Sequence, residues 1–165
     1  MRFHFPIIII DEDFRSENTS GLGIRALAKA IEEEGMEVLG VTSYGDLSSF
    51  AQQQSRASAF ILSIDDEEFS SPEAAGFAIG QLRAFVEEIR FRNASIPIFL
   101  YGETRTTRHI PNSVLRELHG FIHMFEDTPE FVARYIIREA KNYLDSLPPP
   151  FFRALTHYAQ DGSYS

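Results

Sequence analysis

The segment Phe5-Pro-Ile-Ile-Ile-Ile-Asp11 places the strongest constraint on the fold. Four consecutive β-branched residues favour an extended backbone. A strand with one wet face alternates apolar and polar side chains. This run does not alternate, so both of its faces must be covered, as happens in a parallel sheet flanked by helices. Similar runs recur at Glu37–Thr42, at Ala59–Ile64 ahead of Asp65 and Asp66, at Ile96–Tyr101 and at Phe121–Phe125. Pro97 falls near the start of its run, where the missing N–H is tolerable.

Helical patterns separate these runs. Ile24, Leu27, Ala28 and Ile31 share one helix face, and Gly35 stops that helix. Leu47 to Arg56 reads as a second helix. Ser71-Pro72-Glu73 opens the longest helix, with Pro where an N–H has no partner anyway, and its apolar stripe is Ala78, Leu82, Phe85 and Ile89. Asn112–Leu118 reads as a short helix. Thr128-Pro129-Glu130 starts the last one, which carries Val132, Ile136, Ala140, Tyr143 and Leu147 on one side. Five strands alternating with five helices predict an α/β, flavodoxin-like or response-regulator-like (βα)5 three-layer sandwich, with parallel strand order 2-1-3-4-5. The domain is expected over residues 1–146. Pro148-Pro-Pro150 cannot continue a helix, so residues 147–165 read as a Pro-rich linker and the start of a linker helix, Phe151–Tyr158, with no domain of its own to pack on.

Charge and composition exclude several classes. The 165 residues carry 15 Lys and Arg against 24 Asp and Glu, a net charge of −9, which argues against nucleic acid as a partner. There is no Cys, so disulfides, thiol catalysis and Cys-based zinc sites are ruled out. The apolar runs fall far short of the roughly 20 residues of a membrane span, and no signal-peptide pattern leads the chain. The expectation is a soluble, cytoplasmic protein with neither membrane nor nucleic acid as partner.

In a doubly wound sheet, ligands bind at the carboxyl ends of the strands. The acids Asp11, Asp13, Asp65, Asp66, Glu103, Glu126 and Asp127 gather there. Of these, Asp11, Asp13 and Asp65 are weak candidates for a Mg²⁺ site, because they lie near the acids of the phosphoacceptor receiver domains that the alternation resembles. Receivers also carry Ser or Thr after strand four and Lys after strand five. Here the residues are Gly102-Glu103 and Phe125-Glu126-Asp127, so a transferred phosphoryl group would meet repulsion, and a solvated acidic rim is the favoured reading. Gly21-Leu-Gly-Ile-Arg-Ala26 matches a relaxed dinucleotide fingerprint but stands about ten residues from the strand end, outside the context that motif needs. His119 and His123 fall on different elements and read as structural. Arg105 and Arg108, with Arg116 nearby, could seat a phosphate-bearing effector or a partner's carboxylates; an exposed, salt-bridged loop is the plainer alternative.

The carboxyl-terminal half carries a family resemblance. Pro97-Ile-Phe-Leu-Tyr-Gly-Glu103, Phe125-Glu-Asp-Thr-Pro-Glu-Phe-Val132 and Leu147-Pro-Pro-Pro-Phe-Phe-Arg-Ala-Leu-Thr-His-Tyr158 resemble the N-terminal wing domain and linker start of the bacterial inducible ornithine/lysine/arginine decarboxylases, most nearly the biodegradative arginine branch. The resemblance implies a parent enzyme that removes CO2 from arginine, lysine or ornithine with pyridoxal phosphate bound to a Lys in a Ser-x-His-Lys motif. Only Lys29 and Lys141 are present here, in no such motif. The implied segment is therefore non-catalytic, holds no cofactor, and packs against neighbouring subunits of the same enzyme in a homo-oligomer. In some lysine-specific family members a guanosine alarmone binds near the wing, and Arg105 or Arg108 would be the residues to contact it. The alternative is a stand-alone pseudo-receiver acting as a signalling adaptor.

Overall fold

The computed structural model describes residues 5–12, 14–42, 56–64, 66–103, 108–123 and 126–147. Strands β1 (Ile7–Ile10), β2 (Val38–Val41), β3 (Ala59–Ser63), β4 (Ile98–Gly102) and β5 (Gly120–His123) form one sheet. All its pairings are parallel, in the order β2-β1-β3-β4-β5 that the sequence predicts. The four-isoleucine strand is central: Ile8 pairs with Leu39 on one side and Phe60 on the other. All four isoleucines are buried. Full burial of such a side chain is worth about 2 kcal/mol, so this strand anchors the domain.

The two faces of the sheet feed two cores. Ile7, Ile9, Ile61 and Phe99 pack under helices α1 (Thr19–Glu33) and α4 (Pro129–Ser146), meeting Ile24, Leu27, Ile31, Ala133 and Ile136. Ile8, Ile10, Phe60, Leu62 and Leu100 pack under α2 (Pro72–Arg92) and the short α3 (Asn112–Leu115), meeting Leu82, Phe85, Val86, Ile89 and Val114. The two layers are tied beyond the sheet edge, where the Asn93 side-chain amide at the end of α2 donates to the Tyr143 hydroxyl on α4. Burial raises the pKa of the Tyr143 phenol, and the Asn93 bond partly opposes that rise.

The caps fall where the residue types place them. Asn18 accepts from the Gly21 amide at 2.7 Å, Ser71 from Ala74 at 3.1 Å and Thr128 from Phe131 at 3.3 Å. Gly35 ends α1 with φ +99°, a conformation that disfavours any side chain.

Beyond differences of one or two residues at other strand ends, three departures from expectation stand out. β4 begins at Ile98 rather than Ile96; Pro97 has no N–H for the ladder, and only its carbonyl joins, accepting from Phe60. α3 stops at Leu115, and Glu117 and Leu118 continue it only as tight turns onto Val114 and Leu115. A 3-10 turn, Asp66–Phe69, follows β3 where no element was expected. The helix expected over 47–56, apart from Arg56, and the linker over 148–165 lie outside the described residues. Helix α4 runs to Ser146, with Leu147 as its cap directly before the prolines. Among the described residues, no helix is long and apolar enough to cross a membrane.

Candidate functional site

The strand order reverses between β1 and β3, so the carboxyl edge near their ends is where this fold places a ligand. Asp11 stands there, 3% exposed. Its N–H continues the sheet onto Val41 and its carbonyl closes a turn onto Phe14. Tyr101 near the end of β4 is buried as well, and its phenol is pushed up to about 12, first by burial and then by the Asp11 carboxylate. Of the other weak metal candidates, Asp13 and Asp65 lie outside the described residues. Glu12, Glu126 and Asp127 are exposed, and Glu103 is half-buried. Among the described residues, no three His, Asp or Glu side chains converge as a metal site would require.

A groove of about 410 Å³ opens beside Tyr101, between α1 and α4. Leu22, Gly23 and Ala26 form one wall, Pro129 and Val132 the other, with Ile122 and His123 at the strand ends and Asp127 at the mouth. Of the glycines of the dinucleotide-like motif, Gly23 belongs to this wall, and both lie within α1 rather than in a phosphate loop. Gly21 lies inside α1, with its amide engaged by the Asn18 cap. The sequence gives little sign of this groove, because its walls come from segments a hundred residues apart; Leu22 and Ala26, four residues apart on one helix face, are the only local signal.

The histidines separate as expected. His119 precedes β5, lies 3.0 Å from Glu139 and packs edge-on against Phe99. His123 ends β5 and sits 4.0 Å from Glu126. Arg108 is exposed beside His109, whose ring stacks on Phe69, while Arg105 lies outside the described residues. Arg116 is exposed after α3. One arginine with several structural bonds was not singled out by the sequence. Arg90 donates to the carbonyls of Ile96 at 2.8 Å and Glu117 at 2.6 Å, joining the end of α2 to the approach of β4 and the end of α3. Burial lowers its pKa, and Glu117 opposes that shift.

Residues 19–143 match the family model of the Orn/Lys/Arg decarboxylase N-terminal domain. The chain belongs to this family. It is 32% identical to lysine decarboxylase LdcA of Pseudomonas aeruginosa over 98% of its own length and 21% of that protein's. It is 24% identical to the biodegradative arginine decarboxylase of Escherichia coli over 96% of its length and 20% of that protein's. The solved structure of lysine decarboxylase A from Pseudomonas aeruginosa superposes with a TM-score of 0.70 at 29% identity, covering 99% of this chain and 22% of that one. A receiver domain from Clostridium thermocellum shares the fold alone, with a TM-score of 0.56 at 13% identity, covering 84% of this chain and 95% of that one. The chain thus spans about one fifth of the length of the curated decarboxylases it matches.

The residues present do not fit pyridoxal phosphate, the cofactor that the family resemblance implies. Lys29 lies on the outer face of α1, with its side chain 78% exposed and 4.0 Å from Glu33. Lys141 is exposed on α4. An imine-forming lysine needs a desolvating pocket that lowers its pKa, and neither lysine lines the groove beside Tyr101.

Proposed function

We propose that this chain is the non-catalytic assembly and regulatory domain of a cytoplasmic, pyridoxal-phosphate-dependent decarboxylase of a basic amino acid. The observation that carries the reading is the family match over residues 19–143, which takes in both walls of the groove and most of both cores, β1 apart. Lys29 and Lys141 on exposed helix faces support the absence of a catalytic role. The domain ends near residue 146, and the prolines that follow α4 begin a linker toward the catalytic part. Its partners are neighbouring subunits of the same enzyme. Arg108, with Arg105, is the proposed contact for a partner carboxylate or a phosphate-bearing effector.

The parent reaction is loss of CO2 from arginine, lysine or ornithine. The motifs Pro97–Glu103 and Glu126–Thr128 favour arginine, whereas the higher overall identity is with a lysine decarboxylase. The proposal therefore rests at the level of a basic amino acid.

The reading frame beyond the Ser165 codon tests this. A frame continuing through Pro-Gly-His to a Ser-x-His-Lys motif is the expected result. A stop codon directly after Ser165 would overturn the decarboxylase reading in favour of a stand-alone adaptor.

A further inference from the structure

Helix α2 is apolar on two sides. Leu82, Phe85, Val86 and Ile89 face the core, yet Phe77 is 69% exposed and Phe91 is 93% exposed on the opposite side. A surface helix normally keeps that side polar. At 100° per residue, Phe77, Gly80, Ala84 and Phe91 fall within about 40° of one line along the helix. Ala84 is the midpoint of this line, with one phenylalanine seven residues, or roughly 10.5 Å, to either side. A Cβ on Gly76 or Gly80 would meet nothing in this chain within 4 Å. The fold itself thus gains nothing from two interior helix glycines that each cost about 1 kcal/mol relative to alanine.

We propose that this face of α2 pairs with the same face of a second copy, antiparallel about a two-fold axis at Ala84. A surface symmetric about its own midpoint complements itself under such an axis. In that arrangement Phe91 of one copy lies over the gap that Gly76 and Gly80 leave on the other. Arg83 and Glu87 stand on one flank of the helix, about 90° and 50° round from the line, and there Arg83 of one copy meets Glu87 of the second, an ion pair that the axis repeats. This inference rests on the assembly role proposed above and names the surface that performs it. One helix pair covers less than the roughly 800 Å² per partner of a standard interface. The contact is therefore weak by itself and gains strength within a larger assembly.

The absence of cysteine makes the test clean. With helix axes about 9 Å apart and Cα atoms on a radius of about 2.3 Å, the two Ala84 Cα atoms come roughly 4–5 Å apart, within disulfide reach. Ala84→Cys in the 165-residue chain is expected to form a disulfide dimer under mild oxidation at least tenfold faster than Lys29→Cys on the exposed face of α1. Adding Phe91→Asp to Ala84→Cys is expected to return the rate to that of Lys29→Cys, with circular dichroism reporting whether each variant remains folded. Equal rates for Ala84→Cys and Lys29→Cys would overturn the pairing, as would a fast rate that survives Phe91→Asp. The sedimentation of the unmodified chain separates the two readings. Self-association without selective Ala84→Cys cross-linking removes this surface and leaves the assembly role standing. A monomer at every concentration, with no selective cross-link, removes this surface, and the assembly role is then decided by the native mass of the parent enzyme with and without residues 1–146.

Discussion

Tyr101 and Asp11, one on β4 and the other just past β1, are buried in each other's electrostatic field, and the Tyr101 phenol is pushed up to about 12. The folded state therefore holds the neutral phenol against ionisation, whereas the unfolded chain ionises it near pH 10. The stability contributed by this difference is fully present below pH 10 and is lost as the pH rises toward 12. A difference of that size between the folded and unfolded phenol corresponds to roughly 2–3 kcal/mol. Urea titrations between pH 9 and 12 are expected to show that loss in the native chain, and Tyr101→Phe is expected to flatten it. An unchanged alkaline slope in Tyr101→Phe would contradict the assignment.

Gly102 ends β4 with no room for a side chain. A Cβ there would stand 2.9 Å from the carbonyl oxygen of Ile64 and 3.2 Å from its side chain. The backbone oxygen belongs to the end of the adjacent strand, where Ile64 bonds to Tyr101, so it cannot swing aside. Gly102→Ala is expected to lower unfolding stability by about 1–3 kcal/mol, read as a shift of the urea midpoint with an unchanged slope.

Arg90 joins three segments through the carbonyls of Asn93, Ile96 and Glu117 and lies 3.4 Å from the Glu117 carboxylate. Arg90→Ala leaves partly buried carbonyls without this donor and is expected to cost about 2–4 kcal/mol. Arg90→Lys keeps the charge but not the planar fork, so it is expected to recover less than half of that loss. Full recovery by lysine would show that charge alone matters here.

The net charge of −9 sets copies of the chain against one another near neutrality. The repulsion falls as carboxylates protonate and vanishes near the isoelectric point of about 5.0. Light scattering is expected to show the average mass rising between pH 7.5 and 5.0. Constant mass over that range would contradict the link between acidity and association.

The sheet was legible because unbroken runs such as Ile7–Ile10 leave no wet face, and the helices because their apolar stripes are periodic and Ser71 and Thr128 mark two of their starts. The start of β4 was misplaced by two residues, since hydrophobicity marks Ile96 as buried but does not reveal which backbone groups of Pro97 enter the ladder. The groove beside Tyr101 escaped sequence reading because only the fold brings Leu22 and Val132 together. The outward phenylalanines of α2 escaped for a different reason. The stripe Ala78, Leu82, Phe85 and Ile89 marks the inward side and leaves Phe77 and Phe91 unplaced, and their angular position opposite Leu82 and Phe85 puts them outside. That position could have been worked out from the sequence, given the helix register.

The native mass of the parent decarboxylase, measured with and without residues 1–146, tests the proposed role most directly. Removal is expected to reduce the assembly to a smaller oligomer while CO2 release per active site persists. An assembly of unchanged stoichiometry after removal would contradict an assembly function for this domain.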